Sequence, residues 1–87
     1  MNLGAAWVGF KRPNDAESLV LGCTDANTYA KQHAFLGSTV GRWANRIGNG
    51  QITLNGQVVQ LEVNLPPHHL HGGKRGFSNQ IWQSNIQ

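Results

Sequence analysis

The segment from Asn64 to Gly73 holds three histidines together with two prolines and two glycines. A proline fixes φ and removes an N–H, whereas a glycine permits backbone angles that other residues avoid, so the segment is predicted to be a shaped loop. Imidazole at neutral pH donates or accepts a hydrogen bond, carries a proton or binds a metal ion. The loop is therefore a candidate chemical site.

Three interpretations of these histidines are open on the residues alone. Alternate residues of a strand point to one side, so His69 and His71 could bind one metal ion, with Glu62 and His33 available as further ligands. One or two of the imidazoles could instead act as acid or base near a sugar oxygen or a carbonyl. In the third interpretation the histidines are partly exposed in a turn and have no chemical role.

A second candidate site is the stretch GSTVGRWANRIGNG, residues 37–50, in which Arg42, Asn45 and Arg46 lie among glycines and an aromatic residue. Arginine and asparagine side chains supply several directed donors, which suits a polyhydroxylated or anionic ligand. The alternative is a set of solvated surface arginines, because arginine is mostly exposed in any fold.

The clearest local structure signal is QITLNGQVVQL, residues 51–61. Asn55 and Gly56 can both adopt positive φ, which predicts a two-residue β-hairpin turn with Leu54 opposite Gln57. This register puts four apolar side chains on one face, which we expect to be the core face. They are Ile52, Leu54, Val59 and Leu61.

The other elements are shorter. Residues Leu3–Phe10 and Ser18–Leu21 are predicted strands, and Thr24–Gln32 is predicted to be a short helix or loop capped by Thr24 or Asp25. Ile81 and Trp82 are consistent with the start of another strand. Trp7, Trp43 and Trp82 are expected to be core or rim aromatics, and Cys23 a buried thiol.

Composition limits the class of protein. The chain has 87 residues, 39% of them apolar, 13% charged and 11 of them glycine, which is typical of one small, turn-rich, predominantly β domain. Seven dispersed Lys and Arg residues and a net charge of +3 form no dense basic stripe, so no nucleic-acid partner is expected.

Cysteine content and hydropathy bear on the compartment. The single cysteine fits a reducing compartment, and we expect a cytoplasmic location. We expect no signal peptide, and no apolar run reaches the ~18 residues of a membrane helix, so no membrane partner is expected either.

Two stretches carry a resemblance to a known family. FLGSTVGRWANRIGNGQITLNGQVVQLEVN and PPHHLHGGKRGFSNQIW resemble the amino-terminal part of the aldose 1-epimerases, also called galactose mutarotases. The resemblance runs in order from Leu3 to Trp82. It implies an all-β fold with at most one short helix, in which residues 1–87 form a single, truncated, partial domain of a large antiparallel β-sandwich. It also implies interconversion of the α and β anomers of aldohexoses, with no metal and no organic cofactor.

The same resemblance assigns roles to three residues. Asn45 and Arg46 match the family pair that hydrogen-bonds sugar hydroxyls, and His71 matches the LHGG histidine that lines the sugar site. The family's catalytic glutamate and proton-donating histidine lie beyond the matched region. No catalytic residue is therefore expected within this chain, and the isolated chain is expected to be inactive.

Two further expectations concern alternatives and partners. A non-catalytic carbohydrate-binding or assembly module is the main alternative function, and a metal enzyme using His69 and His71 is the other. Part of a sandwich leaves strand edges and an apolar face uncovered, so we expect self-association or a complementing chain besides an aldohexose such as galactose or glucose.

Overall fold

A computed structural model describes all 87 residues, most of which lie in turns and irregular segments. The strands form two separate two-stranded antiparallel sheets, β1 with β4 and β2 with β3. The ordered elements are β1 (Arg46–Ile47), β2 (Gln51–Leu54), β3 (Gln57–Gln60), β4 (His69–Leu70), helix α1 (Ala26–Lys31) and two 3₁₀ turns (Gly48–Gly50 and Phe77–Asn79). Antiparallel sheets with one short helix agree with the predicted class, although the strands are few and short.

The β2–β3 hairpin has the predicted register, with Leu54 opposite Gln57 and Ile52 opposite Val59. Asn55 and Gly56 make the turn at φ of 50° and 78°. The prediction that one face would be a core face is wrong, because Leu54 and Val59 are exposed and the other two apolar residues of that face are only half-buried. All residues of β2 and β3 except Ile52 are exposed, so little of the chain covers the hairpin.

Helix α1 begins where the sequence predicts it, and Asp25 is the N-cap. The Asp25 carboxylate accepts a hydrogen bond from the Thr28 amide at 2.9 Å and another from the Thr28 hydroxyl at 2.9 Å. The helix buries one side chain, Tyr29. The cap satisfies one of the amides that have no partner inside the first turn, which stabilises so short a helix.

The two predicted amino-terminal strands are absent. Leu3 makes only an isolated antiparallel bridge with Ile81, and neither residue extends into a strand. Gly4 and Ala5 have φ of 65° and 44°, so the chain turns at the point where a strand would continue. Apolar character alone does not hold a strand when the backbone lacks a continuous partner.

The predicted strand at 18–21 fails for a local reason. The Ser18 hydroxyl accepts hydrogen bonds from the amides of Phe10 and Val20, both at 3.1 Å. A serine side chain that binds nearby backbone offers an alternative to a sheet ladder. Residues 18–21 are therefore irregular.

Burial is sparse. Nine of the 87 residues are buried, and Ala6 and Tyr29 are the only hydrophobic side chains among them. None of the three tryptophans is a core residue: Trp7 is 65% exposed, whereas Trp43 and Trp82, at 41% and 36%, agree with the predicted rim position. Cys23 is only half-buried, so the predicted buried thiol is wrong. The Cα radius of gyration is 15.9 Å, against about 12 Å for a compact domain of this length. No helix has the length and apolar character needed to cross a membrane.

Candidate functional site

Strands β1 and β4 bring two of the three predicted site residues together. Their register pairs Arg46 with Leu70 and Ile47 with His69, so Asn45 and His71 meet just beyond the ladder. The His71 amide donates to the Asn45 carbonyl at 3.1 Å, and the Asn45 amide donates to Nδ1 of His71 at 3.0 Å. These reciprocal bonds fix the position of the His71 ring relative to Asn45.

The bond to Nδ1 also fixes the tautomer of the neutral His71 ring. A nitrogen that accepts a hydrogen bond from an amide carries no proton, so the ring proton lies on Nε2. Nε2–H is then a hydrogen-bond donor. A hydroxyl or ring oxygen of a ligand is a suitable acceptor for it.

Arg46 adds further donors beside this pair. Its Nη1 donates to the Asn45 side-chain oxygen at 3.2 Å, and the side-chain nitrogen of Asn45 has no hydrogen-bond partner. The molecule contains one ion pair, Arg12 with Asp15, so no carboxylate neutralises Arg46. Asn45 and Arg46 are both exposed, and their donors are available to a ligand.

Phe35 is a neighbour of the site that the sequence did not reveal. Its ring centroid lies 4.6 Å from that of His71, with the planes at 59°. Phe35, Asn45 and His71 all have positive φ, at 56°, 60° and 48°. A bulky residue with positive φ is uncommon, and such conformations cluster at functional sites. No residue type in the FLG stretch signals this contact.

An asparagine anchors the strand that carries His71. The Asn64 side chain accepts from the Leu70 amide at 2.7 Å and donates to the Leu70 carbonyl at 2.9 Å. A side-chain amide that binds both backbone groups of one residue replaces a missing neighbouring strand. Asn64 therefore holds β4, and with it the backbone that leads to His71.

The other two loop histidines have different surroundings. His69 is buried, at 3% exposure, and its Nδ1 lies 2.7 Å from the Glu62 carbonyl. Nδ1 of His68 accepts from the Asn49 amide at 3.3 Å. Both rings thus bind the backbone of neighbouring segments, which is a structural role.

The structure offers no third ligand for the metal interpretation of His69 and His71. No group of three or more His, Cys, Asp or Glu side chains is placed to hold a metal ion. His71 lies beyond β4 with φ of 48°, so the strand alternation on which that interpretation depends ends at Leu70. The oxygen Oε2 of Glu62, which the sequence offered as a further ligand, accepts from the Lys74 amide at 2.7 Å.

Two cavities flank the site without including its three predicted residues. The first, about 380 Å³, is lined by Phe35, Asn64 and Leu70 among others, and so lies beside the residues that support His71. The second, about 330 Å³, lies between the Gly41–Trp43 and Gly72–Phe77 segments. Asn45, Arg46 and His71 line neither of these two cavities. Asn45 and Arg46 are exposed and His71 is half-buried, so the three form an open wall.

The carboxyl groups with shifted pKa values lie elsewhere. The Arg12 guanidinium lowers the pKa of Asp15 through a hydrogen bond, and the Thr28 amide lowers the pKa of Asp25 in the same way. Neither carboxylate contacts the Asn45–His71 pair. Both shifts therefore report local turn and cap structure.

The entire chain matches one known protein family. The sequence model of the family described as aldose 1-epimerase matches residues 1–87. The chain belongs to the aldose 1-epimerase family. The resemblance seen in the GRWANRI and LHGG stretches is thereby confirmed.

Individual members of the aldose 1-epimerase family are similar to this chain in sequence. The aldose 1-epimerase of Haemophilus influenzae is 45% identical over 100% of this chain and 25% of its own length. The galactose mutarotase of Sus scrofa is 40% identical over 86% of this chain and 22% of its own length. The chain thus spans about a quarter of the length of these curated relatives.

Solved structures show the same fold. The aldose epimerase homologue from C. elegans superposes with a TM-score of 0.85 at 32% identity, covering 99% of this chain and 27% of that one. The galactose 1-epimerase from Lactobacillus acidophilus superposes with a TM-score of 0.78 at 34% identity, covering 93% and 24%. The architecture is therefore part of a galactose mutarotase-like fold.

Proposed function

We propose that this chain contributes one wall of a hexose site in an aldose 1-epimerase, which interconverts the α and β anomers of sugars such as galactose or glucose in carbohydrate metabolism. The observation that carries the proposal is the reciprocal pairing of Asn45 with His71, with the Arg46 guanidinium bound to the Asn45 side chain. The predicted trio is thus a contiguous group in a member of this family.

The wall suits a sugar because it is rich in positioned donors. Nε2–H of His71, the side-chain amide of Asn45 and the free guanidinium N–H groups of Arg46 all have sugar oxygens as suitable acceptors. Leaving such a polar group unpaired once a ligand covers it costs about 1–3 kcal/mol, so a ligand lacking the matching oxygens would be rejected. Phe35 packs on the His71 ring and limits its rotation.

Anomer interconversion also needs a base and an acid. The base removes the proton of the C1 hydroxyl while the acid protonates the ring oxygen, and the bond from C1 to the ring oxygen breaks. The freed hydroxyl then adds to the other face of the C1 aldehyde, and both proton transfers are reversed. We assign neither role to a residue of this chain. In our proposal the acid/base pair belongs to the part of the family fold outside these 87 residues, so the trio binds and orients the sugar.

The large antiparallel β-sandwich of the family is the proposed setting for this wall. The exposed apolar residues of the hairpin and of the amino-terminal segment support a partner surface, either the remaining sandwich or a second chain. We place the protein in the cytoplasm, where its single free cysteine would stay reduced.

Because the acid/base pair is assigned to the rest of the family fold, we expect that the isolated chain does not catalyse mutarotation. Polarimetry of fresh α-D-glucose or α-D-galactose measures the rate of anomer interconversion directly. We expect the same rate with the purified 87-residue chain as in buffer, because sugar binding without a paired base and acid does not open the ring. A clear, concentration-dependent acceleration by the pure chain would contradict this assignment.

A further inference from the structure

The second cavity, of about 330 Å³, contains two arginines that the sugar wall does not use. Arg42 and Arg75 both line it, together with Trp43 and His69. Water occupies about 30 Å³ per molecule in the liquid, so the space is roughly ten times that of one water. It can take a small ion together with part of an organic molecule.

The guanidinium groups of Arg42 and Arg75 have no hydrogen-bond or ion-pair partner in the protein. The one ion pair of the molecule joins Arg12 to Asp15, and no side-chain hydrogen bond involves the guanidinium of Arg42 or Arg75. The Arg42 guanidinium carbon lies 5.4 Å from the centre of the Phe77 ring, a cation–π distance that orients the side chain. The Arg75 carbonyl accepts from the Gln80 side chain at 3.1 Å, which holds the backbone of that loop.

The remaining polar groups of the lining do not cancel this charge. Glu62 is the one acidic residue in the lining, and its Oε2 already accepts from the Lys74 amide at 2.7 Å. His69 is 3% exposed, and its Nε2 has no hydrogen-bond partner. The lining thus contains two positively charged arginines and one negatively charged carboxylate, so the cavity has an excess of positive charge.

We propose that this cavity is an oxyanion site that binds a phosphate or carboxylate group between Arg42 and Arg75. Guanidinium forks match the geometry of such groups and bind them through paired, charge-assisted hydrogen bonds. Trp43 offers an aromatic surface to whatever carries the anion. This site is separate from the Asn45, Arg46 and His71 wall, and it does not depend on the proposed epimerase function.

The test is an NMR titration of the ¹⁵N-labelled chain with inorganic phosphate at ionic strength held constant with KCl. Three glycines line the cavity, Gly41, Gly72 and Gly76, and their amides report binding there. We expect saturable shifts of these amides. Arg75→Gln should weaken binding about tenfold or more, because it removes one charged fork.

The control is Lys31→Gln, which removes the same charge from an exposed residue at the end of α1, outside the cavity. It should leave the phosphate affinity unchanged. Arg42→Lys is the second variant, since it keeps the charge while removing the fork, and it should weaken binding by a smaller factor than Arg75→Gln. No saturable shift of the three glycines, or equal affinity in Arg75→Gln and the parent chain, would overturn the site.

A second arm identifies the source of the oxyanion. Tighter binding of glucose 6-phosphate than of inorganic phosphate would support the site and assign it to a sugar-borne group, while equal binding would support it as a site for the free ion. Uncharged glucose bound at the His71 wall should shift only Gly72 of the three, because Gly72 follows His71 in the chain, and it should not shift Gly41 or Gly76. If glucose shifted them as strongly as glucose 6-phosphate, the charge would be irrelevant and the proposal would be wrong.

Discussion

His71 combines a defined hydrogen-bond partner for its ring with an unusual backbone conformation. Its Nδ1 accepts from the Asn45 amide, so its neutral ring presents Nε2–H as a donor. Its φ of 48° is unusual for a residue with a side chain, and Phe35 and Asn45 share this conformation. Such backbone conformations persist only where the surroundings enforce them, which here are the β1–β4 ladder and the Phe35 contact.

The three neighbouring histidines show that residue type alone does not determine the role of a residue. His68 accepts from the Asn49 amide and His69 lies buried against the Glu62 carbonyl, whereas His71 accepts from the Asn45 amide. The side chain of Asn45 accepts in turn from Arg46. The three histidines are identical in type, and they differ in ring partner and in burial. The role of each imidazole is therefore set by the backbone group that binds its Nδ1.

At the scale of elements, very little regular structure positions the wall. Strand β1 carries Arg46, and β4 ends one residue before His71. Two residues make a weak strand, and the Asn64 side chain compensates by binding both the amide and the carbonyl of Leu70. The wall thus depends on side-chain to backbone bonds as much as on the sheet.

Helix α1 should lose its structure in acid because of its cap. The Thr28 amide lowers the pKa of Asp25 below its usual range, and the Thr28 and Thr24 hydroxyls add to this effect. Since the folded pKa is the lower one, the stabilisation is fully present above the unfolded value and is lost as the pH falls through the folded pKa. The ¹³Cα shifts of residues 26–31 should move toward coil values as the pH is lowered from about 4.

Asp25→Asn provides the matched control for this titration. Asparagine caps a helix about as well as aspartate but does not ionise, so its helix should persist through the same pH range. Asp25→Ala should lack the helix signal at every pH. A parent chain whose helix shifts are independent of pH, or an Asp25→Asn variant that loses them in parallel, would rule out the cap as the cause.

Local chemistry explains which elements could be predicted. The register at Asn55–Gly56 and the cap at Asp25 follow from a few adjacent residues, and both predictions were confirmed. The strands at 3–10 and 18–21 were wrong because a strand needs a partner, and positive φ at Gly4 together with the Ser18 hydroxyl bonds directs the backbone elsewhere. Apolar residues indicate which segments are buried in a complete fold, but they do not show which segments of this chain pair as β-strands.

The residues of the candidate site were only partly predictable from the sequence. Asn45, Arg46 and His71 were singled out by the resemblance, and the structure places them together, although their role as sugar ligands stays a prediction. Phe35 and the Asn64 anchor could not be foreseen, because contacts between residues apart in the sequence leave no local pattern. The unpaired state of Arg42 and Arg75 likewise appears only in three dimensions.

At the scale of the whole molecule, the chain is open. Its axes measure 53 × 31 × 22 Å, and its buried hydrophobic side chains are Ala6 and Tyr29 alone. Val58, at 67% exposure, lies on β3, which pairs only with β2 and has a free edge. Exposed apolar groups on an unpaired edge are a docking surface for another strand or sheet.

This surface predicts concentration-dependent association. Light scattering should give a mass above the 9.5 kDa of one chain, rising with concentration. Val58→Lys should reduce the association, because a lysine on an edge strand opposes pairing. Gln57→Lys adds the same charge without removing an apolar group and should have a smaller effect. A stable monomer at high concentration would count against a partner surface on this face.

The most direct test of the account is an NMR titration of the ¹⁵N-labelled chain with D-galactose and D-glucose. We expect saturable shifts at the amides of Asn45, Arg46 and His71, with dissociation constants on the order of millimolar because one open wall holds the sugar weakly. His71→Ala should abolish the shifts, and His68→Ala should preserve them. Saturable shifts centred on other residues, or no response of these three amides at hexose concentrations well above millimolar, would contradict the claim that they form a sugar-binding wall.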